Sequence, residues 1–475
     1  MGNKAAISNV LADRYASSQM CEIWSPRAKV VREREFWIAV LEAQREAGLD
    51  VPQEVVDAYR REIDNVDLDS IREREHVTLH DVKARIEEFC ALAGYEHIHK
   101  GLTSRDLTEN VEQLQVRDAV LLTRRRVITV LARLGVRASE YSSLVMTGRS
   151  HNVAAQATTL GKRFATIADE LITGLERLDS LVETHRLRGI KGPVGTQLDQ
   201  VDLLGSTAAA TELEGQIASH LGFERTFDSV GQVYPRSLDL DVVAALCQVV
   251  SSVANLALVV RLMAGAELLT EGFRPGQVGS SAMPHKMNTR STERISGFMT
   301  ILRGHLTMAS GLAGDQWNEG DVSCSVVRRV VLPDAFFAAD GALQTAATVL
   351  DDLGAYPEMV EREFERYLPF LATTKLLTAA VKAGVGREQA HEIIKGHAIS
   401  AAIAMREQAS DNTMIVGLAD DPAFPLDHQQ IDQLLADPIE FAGLAESQVK
   451  AVLKRIESIV SDDPRAAAEG PEPIL

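Results

Sequence analysis

The sequence predicts an all-α protein built around a bundle of long helices. Proline is absent between Pro52 and Pro193, and again between Pro235 and Pro275, so both stretches can form long uninterrupted helices. Aromatic residues make up only 5% of the chain, and β-type alternation is scarce. Apolar side chains recur at helical spacing in both stretches, at Val120, Val127, Leu131 and Leu134, and at Leu246, Val249, Val250, Val253, Ala257, Val260 and Ala264.

Length, charge and cysteine content restrict the class of protein. A chain of 475 residues predicts two or three domains. The net charge of −18 disfavours nucleic acid and anionic membrane as partners, so an anionic ligand would need a local cluster of Arg, Lys and His. Four scattered cysteines without CxxC spacing, and no signal pattern at the N-terminus, predict a cytoplasmic protein with free thiols. The apolar stretch 242–269 contains polar and charged residues and is interpreted as a buried helix.

Three regions are expected along the chain. Residues 1–102 form an N-terminal helical domain, and residues 103–354 form the central long-helix bundle. Residues 355–475 form a C-terminal helical domain whose Pro-, Ala- and acid-rich tail, from about residue 461, is expected to be disordered. Long apolar stripes on the bundle predict a homo-oligomer.

The string GSSAMPHKMN at residues 279–288 is the most informative motif. It follows the helix breakers Pro275 and Gly276 and supplies hydroxyl, amine and amide groups that could close over an anion. A Gly-Ser-Ser run taken alone is more often a surface loop whose serines cap a helix.

Three further strings have both a structural and a functional interpretation. The string GLTSRD at residues 101–106, preceded by His97 and His99, could be a simple helix cap or an anion site at a helix start. The string GRSHN at residues 148–152 contains a histidine that could be structural. His76 and His80 are one helical turn apart, but no third ligand accompanies them, so a metal site is disfavoured.

Together these strings resemble the fumarase/aspartase superfamily, over nearly the whole chain. Ala282 and the pair His285-Lys286 are similar to the adenylosuccinate lyase family in particular. Departures from that family's pattern occur at Leu79, Ser150, Met287, Thr289 and Gly320; the family usually has a basic residue at the first of these positions and an arginine at the last.

The resemblance implies a reaction and roles for individual residues. The expected reaction is β-elimination of fumarate from adenylosuccinate, giving AMP, and from the related succinyl-aminoimidazole-carboxamide ribonucleotide. Ser280 would be the base and His151 the acid, with Lys286 and Glu293 assisting. The implied substrate-binding residues are Arg14, Tyr15, His80, Asp81, His99, Thr103, Ser104, Gln232, Asn288, Arg294, Ser325 and Arg329. No metal or organic cofactor is implied, and the expected assembly is a homotetramer whose sites are shared between subunits.

Two alternatives remain open at the level of sequence. The chain could be another superfamily member, such as a 3-carboxymuconate cycloisomerase or an argininosuccinate lyase, although neither is expected to combine Arg14-Tyr15 with His80-Asp81-Val82. It could also be a non-catalytic structural protein of the same fold, which would have no need for Ser280, His151 and Lys286 together.

Overall fold

A computed structural model describes residues 8–272, 283 and 285–473. The first hundred residues form short and medium helices around one apolar cluster. These helices are α1 (Val10–Arg14), α2 (Ser18–Ile23), α3 (Pro26–Glu46), α4 (Gln53–Arg61), α5 (Leu68–Thr78) and α6 (Asp81–Ala93). Trp37 and Tyr59 pack on Phe89 with ring centroids 6.1 and 4.9 Å away, and the buried Arg34 pairs with Glu88 at 2.6 Å. This cluster therefore orients α5 and α6, which lead to the first helix of the bundle.

The centre of the molecule is a bundle of five long helices. They are α7 (Ser104–Glu140), α8 (Leu160–Thr184), α11 (Ser237–Gly265), α12 (Arg290–Leu312) and α13 (Ser323–Asp352). The intervening elements are β1 (Val145–Ser150), β2 (Val153–Thr159), α9 (Leu198–Leu204), α10 (Thr207–His220) and β3 (Leu269–Thr270). The 37 residues of α7 span about 55 Å at the usual helical rise. The predicted long helices, and with them the all-α fold, are confirmed.

Helix α11 is, by length and composition, the one helix among the described residues that could cross a membrane. Its apolar residues, however, belong to the largest core cluster, where Val249, Val253 and Ala257 are fully buried. It packs against α8, α12 and α13. Its apolar character is thus explained by its position in the bundle, as predicted.

The C-terminal part forms a third apolar cluster and then returns to the bundle. Its elements are β4 (Gly354–Ala355), α14 (Pro357–Leu371), α15 (Thr373–Lys382), α16 (Arg387–Glu407), α17 (Met414–Ala419), α18 (His428–Leu435), a 3-10 helix (Pro438–Ala442), α19 (Ala445–Asp462) and α20 (Pro464–Ala468). Strand β4 pairs with β3 antiparallel, and α19 packs on α7 and α8. The predicted boundaries at residues 102 and 354 stay predictions.

The expectation of a disordered tail from about residue 461 is wrong for residues 461–473. Helix α20 buries Ala466, whose carbonyl accepts a 2.6 Å hydrogen bond from the Thr129 hydroxyl. Glu469 pairs with Arg126 at 2.7 Å, and the carboxylate of Glu472 accepts hydrogen bonds from the Ser18 backbone and hydroxyl at 2.9 Å. The acidic side chains that suggested disorder are therefore partners of basic and polar groups on the bundle.

Candidate active site

The start of α7 is held by a buried carboxylate. Asp106 accepts hydrogen bonds from the Thr103 backbone N–H at 2.8 Å and from the Thr103 hydroxyl at 3.3 Å, which forms the cap that the sequence predicts. It also pairs with Arg188 and accepts from the Gly192 N–H at 3.0 Å. The same carboxylate therefore fixes Thr103 and Ser104 and draws the loop 188–192 against them.

His99 lies just before this helix start, in a left-handed backbone conformation. Its Nδ1 accepts a 3.1 Å hydrogen bond from the indole N–H of Trp37, so the proton of the neutral ring is on Nε2. The pKa of His99 is lowered to about 4, mainly by burial; the charge of Asp106 opposes this shift, and the nearby His80 contributes a smaller part of it. His99 is therefore a neutral hydrogen-bond donor at physiological pH.

His80 and Asp81 begin α6 near His99. The exposed ring of His80 caps the helix by accepting from the Lys83 N–H at 3.3 Å. Burial acts to raise the pKa of Asp81, but the charge and hydrogen bonds of Arg85, 3.0 Å away, and the Val82 N–H lower it overall. Leu79, where the family pattern has a basic residue, is 88% exposed in a left-handed conformation.

Gln232 and Ser325 come to the α7 start from two other segments. The Gln232 N–H donates to the carbonyl of Glu319 at 2.5 Å, and Gly231 accepts from Arg188 at 3.0 Å. Ser325, in the first turn of α13, accepts a 2.9 Å hydrogen bond from Arg105. The structure thus gathers His80, His99, Thr103, Ser104, Gln232 and Ser325 from segments widely separated in sequence.

A second group of predicted residues lies at the start of α12. The guanidinium of Arg294 lies over the ring of Tyr15 at 5.5 Å, and Tyr15 packs edge-on against Phe298 at 5.2 Å. Arg14 is exposed beside Tyr15, and Glu293 is exposed beside Arg294. The structure thus joins the Arg-Tyr pair to the helix that follows the 279–288 string.

Only part of the 279–288 string falls within the described residues. Ser280 lies outside them. Lys286 is exposed, and its backbone N–H donates to the carbonyl of Met283 at 3.0 Å, whereas Asn288 is half-buried. The buried Glu271 caps the following helix by accepting from the N–H groups of Ser291 and Thr292 at 2.9 and 3.0 Å.

His151 lies at the tip of the β1–β2 hairpin. His151 and Asn152 form a two-residue turn with φ values of 52° and 60°, a conformation that favours Asn and Gly and costs other residues roughly 1 kcal/mol. The hairpin is anchored on α14, where Arg149 pairs with Glu363 at 2.5 Å and lies over Tyr367 at 5.6 Å. His151 is therefore exposed on an element attached to a different part of the chain from the α7 start.

Two family models match the chain. One, described as "Lyase", matches residues 12–304, and another, described as "Adenylosuccinate lyase C-terminus", matches residues 369–452. A curated relative named adenylosuccinate lyase, from Saccharomyces cerevisiae, is 33% identical over 94% of this chain and 93% of its own. The chain belongs to the adenylosuccinate lyase family.

Other comparisons agree with this membership. The adenylosuccinate lyase of Schistosoma mansoni is 32% identical over 94% of both chains. Among solved structures, the 3-carboxy-cis,cis-muconate lactonizing enzyme from Pseudomonas putida is similar with a TM-score of 0.82, over 95% of this chain and 100% of that one. At 20% identity, the similarity to the Pseudomonas putida structure supports the fold alone.

A buried ionic network, which the sequence did not reveal, joins the start of α13 to α7 and α11. Arg328 pairs with Asp239 at 2.7 Å and with Glu112 at 2.5 Å, and it also donates to the Tyr234 hydroxyl. Burial acts to raise the pKa of Glu112, but the charge of Arg328 prevails and lowers it to about 2. Arg328 therefore holds the start of α13 to α7 and α11, whereas the neighbouring Arg329 is exposed.

Within residues 8–272, 283 and 285–473, no group of three or more His, Cys, Asp or Glu side chains could hold a metal ion. His76, in the last turn of α5, and His80, at the N-cap of α6, are both exposed.

Proposed function

We propose that this protein cleaves adenylosuccinate to AMP and fumarate, and the related succinyl-aminoimidazole-carboxamide ribonucleotide to its carboxamide product and fumarate. The observation that carries the proposal is family membership, with relatives named adenylosuccinate lyase aligned along nearly the whole chain. The gathering of hydroxyl, amide and imidazole groups at the start of α7 supports it, because such donors suit an anionic succinyl nucleotide.

The elimination needs one base and one acid. Ser280 takes the proton from the carbon next to a carboxylate, the carbon–nitrogen bond breaks with its electron pair passing to nitrogen, and His151 protonates that nitrogen. A second negative charge develops on the carboxylate during this step, and the donors of Thr103, Ser104 and Asn288 stabilise it. Lys286 stabilises the alkoxide of Ser280.

The remaining residues hold the nucleotide and orient these groups. Glu293 orients Lys286, and His80, Asp81, His99 and Gln232 contact the purine nucleotide. Arg14, Tyr15, Arg294, Ser325 and Arg329 bind the phosphate. The stacking of Arg294 on Tyr15 supports this last assignment, since it brings two of the proposed phosphate ligands together.

A homotetramer with shared sites completes the proposal. Helices α11 and α12 expose a row of large apolar side chains, and a second copy of the chain is the partner that would cover it. These residues are Leu258 (52% exposed), Leu262 (53%), Ile301 (38%) and Met308 (40%). The anchoring of His151 and of Thr103 on different parts of the chain also suits sites built from several subunits.

The proposed location is the cytoplasm. All four cysteines are free thiols in the structure, and Cys247 and Cys324 are buried, which suits a reducing compartment. The net charge of −18 disfavours nucleic acid and membrane surfaces as partners.

Ultraviolet monitoring of adenylosuccinate cleavage by the purified protein tests the reaction. Ser280→Ala and His151→Ala should each lower kcat about 10²- to 10⁴-fold with little change in AMP affinity. His76→Ala is the control, because this exposed histidine has no proposed role. A wild-type protein that cleaves argininosuccinate but not adenylosuccinate would contradict the proposed substrate.

Subunit mixing tests the shared site. If Ser280 and His151 of one site come from different subunits, mixing the two inactive variants under exchange restores activity in up to about a quarter of the sites. A mixture as inactive as its components, despite proven exchange, would place both residues on one subunit.

A further inference from the structure

Arg105 links the starts of two long helices at the proposed substrate site. It is the second residue of α7, and its side chain is 13% exposed. One terminal nitrogen, Nη2, donates to the hydroxyl of Ser325 in the first turn of α13 at 2.9 Å, and the other donates to Glu109 at 3.1 Å. The guanidinium therefore lies beside a hydroxyl proposed to bind phosphate.

Arg105 is not the only cationic neighbour of Glu109. The same carboxylate pairs with Arg236 at 2.8 Å and lies 3.7 Å from Arg328, whose closer partners are Glu112 and Asp239. Arg105 is the most exposed of the three, since the side chains of Arg236 and Arg328 are each 2% exposed. It is therefore the member of this cluster placed to meet a ligand.

The neighbouring loop has no side chain where the family pattern has an arginine. Gly320 has φ of +130°, a conformation that L side chains rarely adopt, and an added Cβ would lie 3.2 Å from the Cβ of Gln232. The field of Arg105 reaches this loop: hydrogen bonds from Ser323 lower the pKa of Asp321, and the charge of Arg105 contributes to the same shift. The cationic side chain of Arg105 on α7 therefore lies near the loop in which Gly320 replaces the arginine of the family pattern.

We propose that Arg105, together with Ser325, contacts the phosphate of the nucleotide and supplies the positive charge that Gly320 does not. A guanidinium can present paired N–H donors to phosphate oxygens, and the start of the 30-residue helix α13 favours an anion at the same place. The inference rests on the proposed function and adds to it a phosphate contact at a position with no previous role.

Binding and kinetic measurements on Arg105→Gln, with Arg105→Lys as the conservative variant, test this assignment. We expect Arg105→Gln to raise the KM for adenylosuccinate and the Kd for AMP about ten- to a hundredfold, the range of a lost charge-assisted hydrogen bond, with kcat changed only a few-fold. The affinities for adenosine and for fumarate should stay the same, and Arg105→Lys should restore part of the AMP affinity. Arg124→Gln is the matched control, because Arg124 is also on α7 but pairs with Asp179.

Ser325→Ala provides a second variant that leaves the buried charges intact. It removes both the acceptor of Arg105 and a proposed phosphate ligand, so a selective weakening of AMP tests the site that the two residues share, and the melting temperature of Arg105→Gln checks that this variant is folded. Unchanged AMP affinity in Arg105→Gln, equal weakening of AMP and adenosine, or a selective loss of fumarate binding would each overturn the phosphate assignment. If the phosphate assignment fails but the wild-type protein cleaves adenylosuccinate, the proposed function still stands. A wild-type protein that does not cleave adenylosuccinate would overturn both the proposed function and the phosphate assignment.

Discussion

The burial of His99, whose ring accepts a hydrogen bond from Trp37, makes the stability of the fold depend on pH. The pKa of His99 falls from 6.5 to about 4 in the folded protein, mainly through burial. The unfolded chain therefore binds an extra proton between these two values. The contribution of neutral His99 to the free energy of unfolding is fully present above about pH 6.5 and is lost as the pH falls towards 4. The difference of 6.5 − 4 = 2.5 pKa units corresponds to about 3 kcal/mol, most of it lost by pH 4.5.

Urea unfolding of wild type and His99→Gln between pH 7.5 and 4.5 measures this effect. Gln keeps an acceptor for the Trp37 N–H but cannot be protonated, so its free energy of unfolding should fall less steeply with decreasing pH. The difference in free energy of unfolding between wild type and His99→Gln should decrease by about 2–3 kcal/mol from pH 7.5 to pH 4.5. His76→Gln, at an exposed position, should follow wild type at every pH. Parallel curves for wild type and His99→Gln would show that the folded pKa of His99 is not lowered.

Four other changes test the structural assignments at the site and at the C-terminal tail. Arg328→Leu should destabilise the protein by about 3–5 kcal/mol in thermal or urea unfolding, because it leaves buried carboxylates without their cationic partner. Arg329→Gln should keep wild-type stability and bind AMP more weakly. The reverse pattern would contradict the roles of the two arginines. Removal of residues 463–475 should lower the melting temperature because α20 and its ion pairs are lost, and an unchanged melting temperature would contradict their packing. Gly231→Ala should raise the KM, measured with adenylosuccinate, because the new Cβ would lie 2.0 Å from the carbonyl oxygen of Glu319 and displace Gln232; wild-type kinetics would contradict this.

Local sequence signals predicted much of the fold. The absence of proline and the helical apolar spacing predicted α7 and α11, because these signals act within one helix. The Thr-Ser-x-Asp pattern likewise predicted the cap at Thr103, since its partner Asp106 is three residues away. The proline rule does not hold everywhere: α13 continues through Pro333, within a helix whose neighbouring side chains are largely buried in the bundle.

Contacts between distant segments could not be predicted in this way. Arg105 and Ser325 are 220 residues apart, and Arg328 and Glu112 are 216 apart, so no local pattern indicates that they meet. The tail was misjudged for the same reason. Its composition indicates disorder, but Thr129 and Arg126, which bind it, lie far away on α7.

The turn at His151 and Asn152 has a consequence for engineering this protein. A selection for heat resistance alone would favour Gly or Asn at position 151, because either residue relieves the cost of a positive φ. The same replacement would remove the imidazole that we propose as the acid, so the most heat-resistant clones would be inactive. Libraries of this chain therefore need to be screened for turnover at each round, or position 151 needs to be kept as histidine. A variant that gains stability by replacing His151 is expected to lose activity.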